Sequence, residues 1–556
     1  MPTYKRPLYH HQDRQEKITL MNRLQCRRPA LAIGAILLIC SLRSLGQSSA
    51  PSPPPLGLLE ALQATLSNQP ALHIEEQQVV SSRAVRRQAS GPFDTVIGTT
   101  LSQNRINNPL TIFDQEQAAL LGIVTNNQVS NVTSVDIGAT KEYRNGVTIS
   151  PSFITTRTTD NIYDIGGTNL TTLAFQVNVP LLRGRGRNVV AAAETAAGIE
   201  VEASLLDLNQ TISSLLSNTA SSYWNAVGAA KNLKVVQGSE ERGKIYVENV
   251  QTLITAGRVP EAEIHQVNAN LATRSAARIA AEQNVIAARQ QLALAMGLST
   301  DQMASVGMPV EDFPKVEGQV MAVLNAHSFQ QFYDWALERR ADYLAAKKRE
   351  MEQKTLLTPA RNATLPQLNL SLSTGYSSLD EGTGISNFFS APGRAPRGPD
   401  VGVGVTYQFP PSNNAAFGAL MLAQSNLRQA ELRTLQTSES IMASVVTAVG
   451  GVRNAALQLQ RAQEAVVASE AALGGEREKY RLGVGQLVDV LTMEDRLTVA
   501  EQSQVNAEVG YALALTQLRF ATGSIVEPDK TVQSVDRDVF FTVPVPAAQK
   551  PPVGKE

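Results

Sequence analysis

Residues able to do chemistry are present in the sequence, but their spacing does not bring them together. His73, His265 and His327 share no ligand spacing, and Cys26 and Cys40 both lie near the N-terminus, so neither a metal site nor a disulfide framework is expected. Paired acids such as Glu240-Glu241 fall on a helical stretch whose surface solvates them. Arg183-Gly184-Arg185-Gly186-Arg187 could contact phosphate or RNA. No Lys-Ser/Thr pair of a phosphate loop follows it, and a charged turn into a helix accounts for it. Gly402-x-Gly404 and Gly483-x-Gly485 lack the rest of a dinucleotide fingerprint; strand packing and a turn explain them. With no Gly-x-Ser-x-Gly and no catalytic constellation, the chain reads as a protein that is not an enzyme and needs no cofactor.

Composition narrows the partners. The chain has 556 residues, a net charge of −1 and 18% charged residues, without the basic excess of a nucleic-acid binder. Aromatics are 5%, low for a large globular core, while Ala, Leu, Gln, Ser and Val fill long helical stretches. After residue 50 no run of 18 apolar residues occurs, so no transmembrane helix is expected in the mature chain. Residues 1–46 read as a secretory signal peptide: a basic segment with Lys5, Arg6, Arg27 and Arg28, an apolar run from Ala30 to Leu42, and Ser44-Leu45-Gly46 before cleavage. A start at Met21 gives that leader ordinary proportions. Ile39 directly before Cys40 disfavours lipidation. Residues 47–57, with Pro51 to Pro55, form a linker.

Beyond the linker the chain repeats itself. Shifted by 226 residues, Gly257 falls on Gly483, Leu271 on Leu497, Gln291-Leu292 on Gln517-Leu518 and Gly297 on Gly523; the register holds without a gap, although only 9 of 41 positions are identical. Each copy is a Gly turn, a long helix and a Gly stop. The first repeat is 58–297, with strands within 92–180 and a helical hairpin over 188–297. A connector follows over 298–328. The second repeat is 329–523, with strands within 366–410 and a helical hairpin over 415–523. The tail, 524–556, is Pro-rich and partly disordered.

These elements carry distinct periods. Leu58 to Gln88 has helical spacing, with a break expected after Asn68 because of Pro70. Phe329 to Thr355 is its counterpart. From Pro92 the period becomes two: Ile97, Thr99 and Leu101, then Val135, Ile137 and Ala139, then Val147 and Ile149 after the hairpin pair Asn145-Gly146, then Leu173, Phe175, Val177 and Val179 up to Pro180. Leu368, Leu370 and Leu372, and Val401, Val403, Val405 and Tyr407 up to Pro410, repeat the pattern. The polar stretches between, about 30 residues after Ser102, Asp160 to Asn169 and Ser377 to Pro399, read as loops. The helices that follow extend ~100 Å and must pack lengthwise against neighbours. Two-faced strands of about ten residues in an exported chain fit an outer-membrane barrel, since lipid tolerates only helices and closed sheets. One chain has too few strands to close, so several must share the barrel.

At these residues the chain resembles the TolC family of outer-membrane efflux and secretion channels. Ala256-Gly257-Arg258-Val259, Arg481-Leu482-Gly483-Val484-Gly485-Gln486-Leu487-Val488-Asp489-Val490-Leu491, Val179-Pro180-Leu181-Leu182-Arg183-Gly184 and Gln408-Phe409-Pro410 carry the resemblance, over roughly residues 56 to 528. It implies an α+β membrane protein: a duplicated helix, β-hairpin and long helical hairpin, trimeric, with a β-barrel continued by an α-helical coiled-coil tunnel across the periplasm. It implies a passive conduit for drugs, small molecules or proteins in a tripartite efflux or type I secretion system, working with a periplasmic adaptor (membrane fusion) protein and an inner-membrane pump. The adaptor-docking tip would be Gly257, Arg258, Val259 and Pro260 with Gly483, Val484, Gly485 and Gln486. Asp489 and Thr492 would stand at the channel constriction, where the family often carries two acids; here the second is Thr492. A ring of Asp489 would favour cations; the alternative is that Asp489 caps its helix. Glu263 is its first-copy equivalent, expected on the outside. The first repeat spans twice the family's usual hairpin length. Either it supplies four strands, for about eighteen in a trimer, or 106–158 is an extracellular elaboration and the trimer has twelve, Pro151 counting against a lipid-facing strand. The rival reading, a periplasmic coiled-coil adaptor or structural envelope protein, explains the helices and leader but not the strands.

Overall fold

A computed structural model describes residues 55–303, 306–316, 319–382, 384–394, 396–527 and 535–546. The leader, most of the linker and two stretches of the tail (528–534 and 547–556) lie outside the described residues. The first repeat runs α1 (Leu58–Asn68), α2 (Pro70–Ala89), β1 (Thr95–Pro109), α3 (Ile112–Leu120), β2 (Asn127–Glu142), β3 (Thr148–Asp160), β4 (Thr168–Pro180), the single turn α4 (Arg187–Val190), α5 (Ala192–Thr255) and α6 (Glu263–Ala295). The connector carries α7 (Thr300–Met303) and α8 (Gln319–Ala326). The second repeat runs α9 (Phe329–Arg339), α10 (Ala341–Ala363), β5 (Gln367–Glu381), α11 (Ile385–Ser390), β6 (Arg397–Gln408), α12 (Asn414–Arg481) and α13 (Leu487–Ala521).

The six strands form one antiparallel meander in chain order, β1 to β6. Residues 106–158 are therefore part of the sheet, and the first repeat supplies four strands. Pro151 sits inside β3 and pairs with Phe175 of β4. The β2–β3 ladder lapses opposite it, between Gly138↔Ser152 and Lys141↔Ile149, because proline has no N–H to give. Registered neighbours share a face. Ile97, Ile137, Phe153, Leu173, Leu372, Tyr376, Val403 and Tyr407 lie on one side of the sheet, and Gly98, Asp136, Ser152, Gln176, Ser373, Gly402 and Gln408 lie on the other. The apolar side is exposed in the single chain, with Ile97, Leu173 and Val403 all more than half accessible.

Two expectations of loop are corrected. β1 continues to Pro109 and β2 starts at Asn127, so much of the polar stretch after Leu101 is strand, with α3 between. β5 likewise continues to Glu381. At these outer ends both faces are polar, so period-two alternation vanishes while the ladder persists. The single helix expected over Phe329 to Thr355 is two helices, α9 and α10, separated at Arg340, and α10 runs through Pro359 to Ala363.

Below the sheet, α2, α5, α10 and α12 lie side by side in a row, while α6 packs on α5 and α13 on both α12 and α5. The repeat recurs in the packing. α6 ends at Gly297 (φ 70°) and α13 at Gly523 (φ 63°), and each glycine abuts the backbone break between a helix pair, Asn68–Gln69 in one case and Arg339–Arg340 in the other. Gln69 Nε2 donates to the Leu294 and Ala295 carbonyls (3.1 and 2.9 Å), and Arg340 Nη1 donates to the Phe520 carbonyl (3.4 Å). The side chain at each break thus satisfies the last carbonyls of the long helix.

The largest buried cluster sits midway along the helices, around Tyr223, Trp224, Phe313 and Phe540. Leu56 forms a parallel bridge with Pro309, and the Tyr223 hydroxyl donates to the Leu56 carbonyl at 3.0 Å. Burial pushes that hydroxyl up to about 12. The C-terminal segment returns here: Arg519 donates to the Thr542 carbonyl at 3.0 Å, and Phe541 meets Trp224 edge-on at 5.4 Å. Part of the tail is therefore ordered structure within this belt.

Candidate functional site at the helical tip

The end of the helices farthest from the sheet is made by two glycine turns. In the first, Gly257 (φ 70°) follows the cap of α5, and Arg258 N–H donates back to the Leu253 carbonyl at 2.9 Å. In the second, Gly483 (φ 77°) follows α12, and Val484 N–H donates to the Lys479 carbonyl at 3.0 Å. A left-handed residue closes each helix, which glycine does without strain. A side chain at either glycine would meet nothing within 4 Å, so both turns project clear of the protein. Arg258, Pro260, Gly483, Val484 and Gln486 are exposed, while Val259 and Gly485 are half-buried. Gly485 is the crowded member: a Cβ there would stand 3.0 Å from the Tyr480 backbone nitrogen.

Just behind the turns the two hairpins meet on an apolar cluster of Val250, Val267, Leu487 and Leu491, flanked by Tyr246, Ile254, Ile264 and Tyr480. Glu263 is half-buried at this junction. Neither its buried Oε2 nor the buried Tyr480 hydroxyl has a hydrogen-bond partner. Burial, and then the Glu263 charge, push the Tyr480 hydroxyl up from its ordinary value.

One turn farther along α13 lies Glu494, whose side chain is 0% exposed. Its carboxylate takes Arg242 Nε of α5 at 2.8 Å, Arg477 of α12, and the Tyr246 hydroxyl of α5 at 3.0 Å; Arg274 Nη1 of α6 stands 4.0 Å away. Arg274 also donates to the Ser239 carbonyl at 2.9 Å and to Asp495 Oδ1 at 2.9 Å. Arg242 reaches on to Glu501 at 3.3 Å, and Arg477 Nε donates to the Tyr246 hydroxyl at 2.8 Å. One carboxylate therefore ties four helices from both repeats. The three arginines face Glu494, Asp495 and Glu501, so the charges balance and the buried ions are paired.

Asp489 and Thr492 lie outside this network. Both are exposed on a stripe of α13 that continues through Arg496 and Val499. Thr492 Oγ1 donates to its own helix at Val488 O, 2.8 Å. Asp489 occupies the first turn of α13, where the helix dipole favours an acid, but it makes no cap bond in place of Gln486, the N-cap residue. In the sequence Glu494 and Asp495 are simply the next acids after Asp489 and belong to no motif. A signal did exist in α6: Val267, Arg274 and Ala281 share a seven-residue spacing and are all buried. An arginine in an apolar stripe requires an acid across the interface.

Comparison with known proteins places these features in context. A sequence model for the outer membrane efflux protein family matches residues 147–298 and 332–524. Outer membrane protein TolC of Escherichia coli is 23% identical over 371 residues, 65% of this chain and 71% of that protein. Among solved structures, the Campylobacter jejuni CmeC outer membrane channel superposes with a TM-score of 0.59 at 16% identity, covering 85% of this chain and 87% of that one. VceC from Vibrio cholerae gives a TM-score of 0.59 at 17% identity, covering 84% and 96%.

Proposed function

The chain belongs to the outer membrane efflux protein family, and from that premise we propose that three copies form one conduit that carries solutes passively from a periplasmic adaptor and an inner-membrane pump out of the cell. The observation that carries this reading is the six-stranded sheet with one apolar face and two unpaired edges, β1 and β6. In lipid an open edge leaves backbone groups unsatisfied, so β6 of one copy must pair with β1 of the next. Three copies then close a barrel of about eighteen strands, a number at which barrels enclose water. The apolar face meets lipid and the Gly, Ser, Asp and Gln face lines the lumen. A coiled-coil adaptor would have no use for such a sheet.

In this reading the glycine turns are where the adaptor docks, since they project freely and expose Leu482 and Val484. The groove beside them is lined by Val250, Leu253, Leu487 and Val490, with Arg258 and Arg481. The Glu494 network holds the two hairpins together behind the tip, so opening the conduit requires the hairpins to separate there. Asp489 and Thr492, on the exposed stripe of α13, face the narrowed lumen, and Asp489 makes it cation-preferring.

The test is electrical. Purified mature protein, shown by native mass to be a trimer, is expected to give discrete cation-preferring steps in a planar bilayer, and Asp489→Ala is expected to lose that preference. A folded protein that stays monomeric and never inserts would exclude the conduit. Unchanged selectivity in Asp489→Ala would remove Asp489 from the constriction and leave its place in the first turn of α13 as its role.

A further inference from the structure

The outer ends of β3, β4 and β5 carry a piece of structure that a pore wall does not require. On the apolar face, Phe153, Leu173 and Tyr376 form one registered row. The next two rows outward on that face are polar, Thr155, Thr171 and Ser378, then Arg157, Asn169 and Asp380. Such side chains at the rim of a barrel should be wet, yet Thr155, Thr171, Asn169, Ser378 and Asp380 are all buried.

The loop between β5 and β6 covers them. Ser378 Oγ donates to the carbonyls of Ala391 and Arg394. Asp380 accepts from Ser390 Oγ at 3.2 Å and from Arg394 Nη1 at 3.3 Å. Arg157 Nη1 donates to the Gly384 carbonyl at 3.4 Å and to Asn169 Oδ1 at 3.2 Å. The loop is thus fastened to the apolar side of the sheet, not folded over the lumen. It also runs inward across its own chain: α11 rests on β3, and the turn at Ala391–Gly393 rests on β4 and β5. It therefore points away from the β6 edge, where another copy would pair. On it Phe388 and Phe389 stack edge-to-face at 5.4 Å, and Phe389 is 74% exposed.

Height fixes what this pair meets. From Leu368 to Tyr376 the apolar face of β5 extends ~27 Å along the strand, or about 20 Å across a membrane at the usual barrel tilt. The loop begins immediately above that band and on the same side. Resting on the barrel reading above, we propose that the β5–β6 loop is a lipid-contact strap, with Phe388 and Phe389 seated in the interfacial region of the outer leaflet as part of the aromatic girdle.

The experiment places a fluorophore there. Phe389→Trp, and Leu173→Trp as a marker of the apolar band, are made in the full chain and reconstituted as assembled protein in phosphatidylcholine vesicles, plain or brominated on the acyl chains. Emission from Trp224 and Trp335, the two native tryptophans, is subtracted using the unmodified protein. The expected result is that brominated lipid quenches both variants and that Phe389→Trp emits at shorter wavelength than a hydrated tryptophan. If only Leu173→Trp is quenched by lipid and Phe389→Trp is quenched by aqueous iodide, the loop faces water and the proposal is wrong. If neither quencher reaches Phe389→Trp, another copy covers the loop and the proposal is equally wrong. Failure of lipid to quench Leu173→Trp would overturn the barrel reading and the strap with it.

Discussion

Glu494→Ala is expected to loosen the helical tip by about 3 kcal/mol, within the range for removing one partner of a buried ion pair. The carboxylate is fully buried, and its loss leaves Arg242, Arg477 and the Tyr246 hydroxyl without the acceptor they share, whereas Arg274 keeps Asp495 and the Ser239 carbonyl. Arg242 and Arg477 reach solvent in part, at 26% and 47%, and can recover some hydration, which holds the cost at the lower end of that range. The effect should be local. Amide exchange is expected to rise in 246–255 and 480–491, the segments that meet behind the turns, while the midway cluster around Trp224 keeps its protection. In a planar bilayer the same variant is expected to spend more time conducting. Glu494→Gln, which keeps the shape and one acceptor, should fall between the two. Unaltered exchange at the tip in Glu494→Ala would show that the apolar cluster alone holds the hairpins, and the ion network would lose its place in the gate.

Alanine at Gly297 or Gly523 is expected to cost far more than alanine at Gly257 or Gly483, although all four have positive φ. The shared part is the left-handed backbone, ~1–2 kcal/mol for a residue bearing Cβ. The difference is what the new atom strikes. At Gly297 it would lie 2.7 Å from Gln69 Cα, and at Gly523 3.0 Å from Arg339 C and Arg340 N, contacts with backbone that cannot swing aside. Overpacking of this kind adds roughly 1–3 kcal/mol and also presses on the side chains that cap α6 and α13. At the tip turns there is only open space. The four variants compared by thermal loss of helical signal should therefore fall into two pairs, with Gly297→Ala the least stable. Equal losses across all four would mean that conformation alone sets their identity. Bulky residues at Gly257 and Gly483 then probe adaptor docking at the cost of the left-handed backbone alone, with no clash added.

What could be read from the sequence was whatever repeats at short range. Alternation at Leu173 to Val179 and Val401 to Tyr407 announces strands because one face is apolar along its whole length. Pro70 announces the break before α2 because it cannot continue a helix without losing a hydrogen bond. The matching break at Arg340 was hidden, since it is made by packing against Gly523 and not by any local breaker. The outer halves of β1 and β2 were hidden because both faces there are polar, and only the pairing of Arg105 with Asn131 and its neighbours holds them extended. The tip network was hidden for a different reason: its partners lie some 250 positions apart, as Arg242 and Glu494 do, and meet only when the repeats dock.

The extra hairpin of the first repeat has a geometric consequence. Strands ~4.8 Å apart, tilted by about 40°, each occupy roughly 6.3 Å of perimeter, so six take up about 38 Å. The row of α2, α5, α10 and α12, at ~8–10 Å per helix, takes up about 32–40 Å. A chain with one hairpin per repeat would have only about 25 Å of sheet above the same four helices, and its wall would have to taper inward where helix gives way to strand. Here the two arcs match, so in the proposed conduit the wall would pass from one kind of backbone to the other at constant radius, and a solute leaving the helices would meet no shoulder.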